Sequence, residues 1–336
     1  MKIELNHSLR KLNTFGIDVC CRQLITLDMP QEVAQLRQEG VFNAPFYLMG
    51  GGSNTLFSGN FDGSVIQLQN RGIEVVHETA DKIILKAAAG EAWQSVVEYC
   101  LKNDLYGAEN LIDIPGWTGS APVQNIGAYG AEAKDIVFQV NGVMLHEAAF
   151  VQFRNAECQF SYRNSIFKKH YRNRLLITEV LFQLSKKPKF NLEYEALKNY
   201  LTSNNQEITL QNVAKAIQGI RASKLPDLQM LGSAGSFFKN PLVSQAQFEL
   251  LAARFPNLPH YPAEADLIKL SAGFLIEQCG LKGYREGSVG IYPKQALVIV
   301  NWGGATGKEI ITFYRKIQAA VKDKFGVLIE PEVNEI

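Results

Sequence analysis

The sequence predicts an α+β protein of two or three domains. Its 336 residues exceed the ~100–200 residues of one ordinary domain. The first third alternates short strand-like and helix-like runs. The last third carries capped helices and a buried-strand pattern of its own. No internal repeat and no low-complexity tract interrupts this pattern.

Taken in order, "PQEVAQLRQEG" (30–40) reads as a short helix, with Pro30 in its first turn and Gly40 as its stop. "FYLMG" (46–50), "SVIQL" (64–68) and "KIILKAAAG" (82–90) read as strands. "EAWQSVVEYCLKND" (91–104) sets Trp93, Val96, Val97, Cys100 and Leu101 on one helical face. Strands follow near 135–144 and 175–184, with the polar segment "FSYRNSIFKKHYRNR" between them. "TSNNQE" (202–207) is the best linker candidate, and Thr209 then caps a helix whose apolar face is Val213, Ile217 and Ile220. Ser244 with Gln247, and Thr306 with Glu309, form capping-box patterns. "QALVIVN" (295–301) is a buried-strand candidate. Domain boundaries are expected near 70 and near 206.

The bulk numbers exclude several function classes. A net charge of +1 provides no field to recruit nucleic acid or an acidic membrane. No apolar run reaches the ~18 residues that span a bilayer, and the opening "MKIELNHSLRKL" lacks the apolar core of a signal peptide. The five cysteines form no CxxC pair, which reads as a reduced, cytoplasmic chain. The five histidines are scattered without HExxH, so no metal site is expected. The expected partner is a small molecule, and the expected state a monomer.

Two glycine-rich loops stand out. "LMGGGSNTLF" (48–57) follows a strand, so that Gly50, Gly51 and Gly52 let backbone N–H groups converge while Ser53, Asn54 and Thr55 add side-chain donors. Such a nest binds phosphate oxygens, and three glycines followed by three small polar residues are more than the alternative, a tight hairpin turn, needs. It matches neither a dinucleotide fingerprint nor a P-loop. "WGGATGKE" (302–309) places Glu309 where a P-loop needs Ser or Thr, and reads as a turn into a capped helix. The second loop, "ENLIDIPGWTGSAPVQNIGAYG" (109–130), is long and poor in regular apolar spacing. It is either a connector or backbone laid flat against a planar cofactor. A third stretch, "LGSAGSFFKNP" (231–241), sets Ser236 between small residues and two phenylalanines. That is a turn into a strand, or a hydroxyl presented to a substrate that Gly235 lets approach.

Together these loops resemble the FAD-binding half of the vanillyl-alcohol-oxidase-like flavoproteins. Within that superfamily, "GSAGSFFKNP" and "LIEPEV" resemble the UDP-N-acetylenolpyruvoylglucosamine reductase (MurB) family of peptidoglycan synthesis. The likeness runs from "NTFGI" (13–17) to Glu332. It implies a two-part FAD-binding domain of the vanillyl-alcohol-oxidase/PCMH type, over 1–70 and 71–205, and a C-terminal α+β substrate-binding domain over 206–336. It also implies FAD, with NADPH as hydride donor, reducing an enolpyruvyl ether to a lactyl ether on a nucleotide sugar. Hydride goes to the methylene carbon and a proton to its neighbour.

The same resemblance assigns roles. Ser236 matches the proton donor of the serine branch, and Arg163 in "SYRNSIF" matches the arginine that pairs with the substrate carboxylate or enolate. Glu332 matches the catalytic glutamate, with Glu330 as the alternative. Gly50 to Thr55, with Pro115, Gly116, Gly119, Ser120, Asn125, Ile126 and Gly127, match the cofactor loops. Lys224, Asn240, Lys282 and Gln295 match substrate contacts, and Tyr194 matches the tyrosine of an insertion that covers the uridine diphosphate. Alone, each of these lysines or Arg163 reads as a solvated surface charge. An FAD-dependent sugar or alcohol oxidase would share the front half, and a nucleotide-binding module without chemistry is a third reading.

Overall fold

The computed structural model describes residues 1–263 and 266–336. The chain forms two compact units, each assembled from separated stretches. The first contains Met1–His7, Cys21–Gly51 and Asp62–Arg221, and the second Ser8–Cys20, Gly52–Phe61 and Ala222–Ile336.

In the first unit, a four-stranded sheet runs in the order Lys2–Ser8, Cys20–Leu27, Phe61–Leu68, Phe46–Leu48. The last two are parallel, with Tyr47 opposite Val65. A five-stranded antiparallel sheet follows the order Phe150–Arg154, Val137–Met144, Leu175–Ser185, Lys82–Ala88, Ile73–Glu78. The expected helix after Glu91 spans Trp93–Lys102 and buries Trp93, Val96, Val97 and Cys100. Trp93 meets Phe182 of the central strand edge to face at 5.5 Å, so the helical period and the strand period converge on one core. Residues 204–209 join the helices Glu195–Ser203 and Leu210–Lys224. Leu197 and Leu201 of one helix, and Val213 and Ile217 of the other, lie in that same core.

In the second unit, an antiparallel sheet runs Gly232–Ser236, Val298–Asn301, Val289–Ile291, Arg285–Glu286. A smaller antiparallel sheet runs Leu242–Ser244, Leu267–Leu270, His260–Pro262. The helix Gly307–Phe325 starts at Thr306 with the reciprocal capping box expected from sequence. The pattern at Ser244 is half realised. Ser244 Oγ accepts from Gln247 N–H, but the Gln247 side chain donates to Gly326 O (3.4 Å), the cap of the neighbouring helix. Among the described residues no helix is long and apolar enough to cross a membrane.

Candidate active site

In the first unit the two glycine loops meet. A Cβ on Gly50 would lie 2.3 Å from Ser120 Oγ, and one on Gly51 would lie 3.2 Å from both Gly116 Cα and the Trp117 ring. Gly119 sits so close that a Cβ there would lie 2.7 Å from that of Ala89, and its N–H donates to Ala89 O (2.8 Å). Pro115 is exposed at the rim. The glycines are therefore needed for backbone to lie close against the neighbouring loop. Arg71 braces this surface, with its guanidinium 5.5 Å from the Trp117 ring centroid and a hydrogen bond to Gly90 O.

Further along the loop, Asn125 is fully buried with φ +46°. Its Nδ2 donates to Glu132 Oε2 (2.9 Å) and Ser161 O (3.1 Å), and its Oδ1 accepts from Lys134 N–H (2.9 Å). Asn125 thus pins the loop to the segment that carries Arg163. Ile126 is buried beside it, and the short strand Gly127–Ala128 pairs with Ala131–Glu132. Arg163 has φ +54°, a strained value for a residue with a Cβ. That turn aims its Nη2 at Gly127 O (2.7 Å).

Tyr194 precedes the helix Glu195–Ser203 and is 41% exposed, with its ring 5.1 Å from that of Tyr129. Asn110 Nδ2 donates to Tyr129 O (2.7 Å) and to Asn191 O (2.9 Å), tying the Tyr129 loop to the segment just before Tyr194. Beneath them Arg221 Nη2 donates to Asp113 O (2.9 Å), and Arg221 also hydrogen-bonds Tyr129. Burial pulls the Arg221 guanidinium below its ordinary pKa, opposed by Tyr129 and Asp113. Burial pushes the Tyr129 phenol up, opposed by Arg221. Arg221 Nε is a buried donor without a partner among the described residues. Sequence reasoning missed this cluster. Tyr129 stood inside a stretch read for its glycines, and Arg221 stood inside an amphipathic helix where an arginine signals nothing.

In the second unit, Ser236 ends the strand Gly232–Ser236 opposite Val298 and is exposed, with Gly235 before it at φ +71°. Phe237 and Phe238 are both 1% exposed and pack on Tyr314. Ser236 is therefore an exposed strand end beside an apolar wall. Residues 237–239 pair with 330–332. Glu332 N–H donates to Phe237 O (2.7 Å) and Lys239 N–H to Glu330 O (2.9 Å). That pairing sets Glu332 opposite Phe237, the residue after Ser236. Glu330 instead forms an ion pair with Lys239 (3.3 Å) and is 67% exposed.

Thr55 is buried and pairs with Asn334 in a two-strand parallel ladder. Asn240 Oδ1 accepts from Ala272 N–H (3.0 Å), and Gln295 Oε1 would lie 3.7 Å from a Cβ on Gly273, so both residues converge on one helix start. Lys282 lies in the turn after Gly280, 40% exposed and 2.8 Å from Glu277 Oε1. Lys224 closes the helix Leu210–Lys224 and is half-buried. Among the described residues, Lys282 pairs with Glu277 rather than with another candidate residue.

These surfaces fit a flat cofactor bearing phosphates. In the first unit, Gly50 and Gly51 leave room for Ser120, Gly116 and Trp117 of the second loop. In the second, the Thr14 hydroxyl is a buried polar atom without a partner among the described residues, and Thr14 N–H donates to Gly52 O (3.2 Å) at the phosphate nest.

Two family models match the chain. One describes an FAD binding domain, over residues 24–147, and the other the C-terminal domain of UDP-N-acetylenolpyruvoylglucosamine reductase, over residues 226–336. A UDP-N-acetylenolpyruvoylglucosamine reductase of Chromobacterium violaceum is 44% identical over 329 residues, covering 96% of either chain. One from Bacteroides fragilis is 41% identical over 334 residues, covering 99% of this chain and 100% of that one. The crystal structure of UDP-N-acetylenolpyruvylglucosamine reductase from Thermus caldophilus matches with a TM-score of 0.67 at 22% identity, over 99% of this chain and 98% of that one. That last likeness is one of fold.

Proposed function

The chain belongs to the UDP-N-acetylenolpyruvoylglucosamine reductase family, and from that premise we propose that it reduces UDP-N-acetyl-3-O-(1-carboxyvinyl)glucosamine to UDP-N-acetylmuramate. FAD is its cofactor and NADPH its reductant. The observation that supports the reading is the backbone pairing of 237–239 with 330–332, which sets Glu332 opposite Phe237, one residue from the exposed Ser236.

Bound flavin supplies the hydride transfer from NADPH to the methylene carbon of the enolpyruvyl group. Gly50 to Thr55 and the loop from Pro115 to Gly127 hold it, through backbone donors rather than through the Asn125 side chain, whose three hydrogen bonds stay within the protein. Hydride addition leaves enolate charge beside a carboxylate, and Arg163 neutralises that charge with a forked donor. Ser236 gives the proton to the adjacent carbon. A serine is a weak acid, so it needs polarising neighbours or a water chain to resupply its proton, while Glu332 polarises or relays a proton beside the enol. Tyr194 closes over the nucleotide, while Lys224, Lys282, Asn240 and Gln295 bind the diphosphate and sugar. The division into 1–70, 71–205 and 206–336 by function belongs to the same reading, as does a monomer in the cytoplasm.

The test is an anaerobic absorbance experiment on the FAD-loaded protein. NADPH bleaches the flavin band, and the enolpyruvyl nucleotide sugar restores it. Recovery with oxygen alone would replace the reductase by an oxidase. In Ser236→Ala, bleaching by NADPH stays fast and recovery slows by about two orders of magnitude or more, the usual worth of a positioned acid. Normal recovery in that variant removes Ser236 from the chemistry.

A further inference from the structure

We propose, resting on the functional reading above for the role of Glu332, that Asn54 and Asn334 are positioning residues that lock Glu332 to the glycine-rich loop. Cofactor phosphate in the loop then sets the position of the glutamate.

Four segments of the second unit close a circuit of backbone hydrogen bonds. At one end, Thr14 N–H donates to Gly52 O (3.2 Å) and Ser233 N–H donates to Thr14 O (2.9 Å). At the other, Glu332 N–H donates to Phe237 O (2.7 Å), Asn334 N–H to Asn54 O (3.0 Å) and Ile336 N–H to Leu56 O (2.9 Å). The loop 52–56 and the strand that carries Ser236 are thus bridged twice, by 12–15 and by 332–336. The first bridge is tight enough to demand glycine. A Cβ on Gly52 would lie 1.8 Å from Leu12 O, and one on Gly232 would lie 2.1 Å from Phe15 O.

The second bridge is reinforced by reciprocal amides. Asn334 Nδ2 donates to Asn54 O (3.1 Å), and Asn54 Nδ2 donates to Glu332 O (3.3 Å). Tyr314 adds an anchor. Its hydroxyl donates to Glu335 Oε2 (2.7 Å), and its ring lies 5.0 Å from that of Phe237, in the wall behind Ser236. A glycine loop has few side chains to hold its shape, so its order depends on what its backbone is bonded to. An anion gathered by its N–H groups orders the loop, and Asn54 transmits that order to the main chain at Glu332. Coupling of this kind is reciprocal, so loosening Asn334 weakens cofactor binding.

The test uses the full chain, titrated with FAD, with amide exchange followed over 332–336. In the parent, FAD slows exchange there. Asn334→Ala is expected to raise the FAD dissociation constant roughly three- to tenfold, the worth of one hydrogen bond, and to abolish that slowing. At saturating FAD its flavin is reduced by NADPH within about twofold of the parent rate, while reoxidation by the enolpyruvyl nucleotide sugar slows about tenfold or more. Should the alanine variant fail to fold, Asn334→Asp keeps the size and the main-chain donor but sets an acceptor against Asn54 O, and is expected to act in the same direction. Gln318→Ala is the control. Gln318 Nε2 donates to Ile329 O (2.7 Å), on the same segment but outside the circuit, so all three readouts stay near the parent. Retained exchange slowing in Asn334→Ala, or equal losses in Gln318→Ala, would overturn the coupling. A parent that is never reoxidised by the nucleotide sugar brings down the functional reading instead. The exchange readout, which needs no substrate, then still decides the coupling.

Discussion

Arg163 and Glu109 show how far a single residue's surroundings decide its chemistry. Arg163 is an ordinary arginine in a polar run until its positive φ turns it onto Gly127 O. Glu109 opens the second glycine loop and is 2% exposed, with Gly107 N–H donating to its Oε2 (2.6 Å). Burial pushes its carboxyl above the ordinary 4.5, and the two backbone hydrogen bonds only partly oppose this. The folded state therefore favours the protonated form. This contribution is fully present below the unfolded pKa and is lost as pH rises from there through the folded value. Glu109→Gln keeps the acceptor for Gly107 and removes the charge. Its melting temperature is expected to exceed the parent's at pH 8 and to converge with it near pH 4. A parallel pair of pH curves would show that ionisation of Glu109 carries no such penalty. Its neighbour Cys100, pushed up to about 12 by burial, stays a thiol throughout.

At the scale of the element, a signal in the sequence is realised in the fold where its cause is local. Thr306 and Glu309 cap the helix Gly307–Phe325 through Thr306 Oγ1 and Glu309 Oε2, as their spacing demands. Thr306→Ala is expected to cost about 1 kcal/mol, seen as a lower urea midpoint with an unchanged slope. Gln247 had the same spacing signal but found a better acceptor at Gly326, because a long amide side chain is free to choose between a local donor and a distant carbonyl. The strand calculus was similar. "QALVIVN" narrowed to Val298–Asn301, while "SVIQL" grew to Phe61–Leu68, since pairing partners rather than propensity set strand ends.

For the whole molecule, the units are stitched from distant stretches, and no local pattern announces that. Trp93 illustrates the consequence. It is 1% exposed, packs on Phe182, and its Nε1 donates to Leu111 O (2.7 Å). Its neighbours therefore come from a strand and a loop far along the chain. Trp93→Ala is expected to destabilise the first unit by roughly 3–5 kcal/mol. Denaturant unfolding followed by circular dichroism checks this, and a loss under about 1 kcal/mol would mean that the core collapses around the gap.

The sequence by itself determined the α+β class, the helix faces, the caps and the glycine loops, because each follows from spacing along a short stretch. Through its ordered motifs it also pointed to the family, to FAD and to Ser236. Tertiary structure alone decided that Glu330 pairs with Lys239 while Glu332 lies opposite Phe237, since Pro331 separates them and only the pairing with 237–239 sends them apart. It also decided that Tyr129 and Arg221 lie under Tyr194, and that 332–336 zip onto 54–58. Those contacts join residues tens to hundreds of positions apart. Hydrogen bonds and burial at such separations leave no period in the sequence to read.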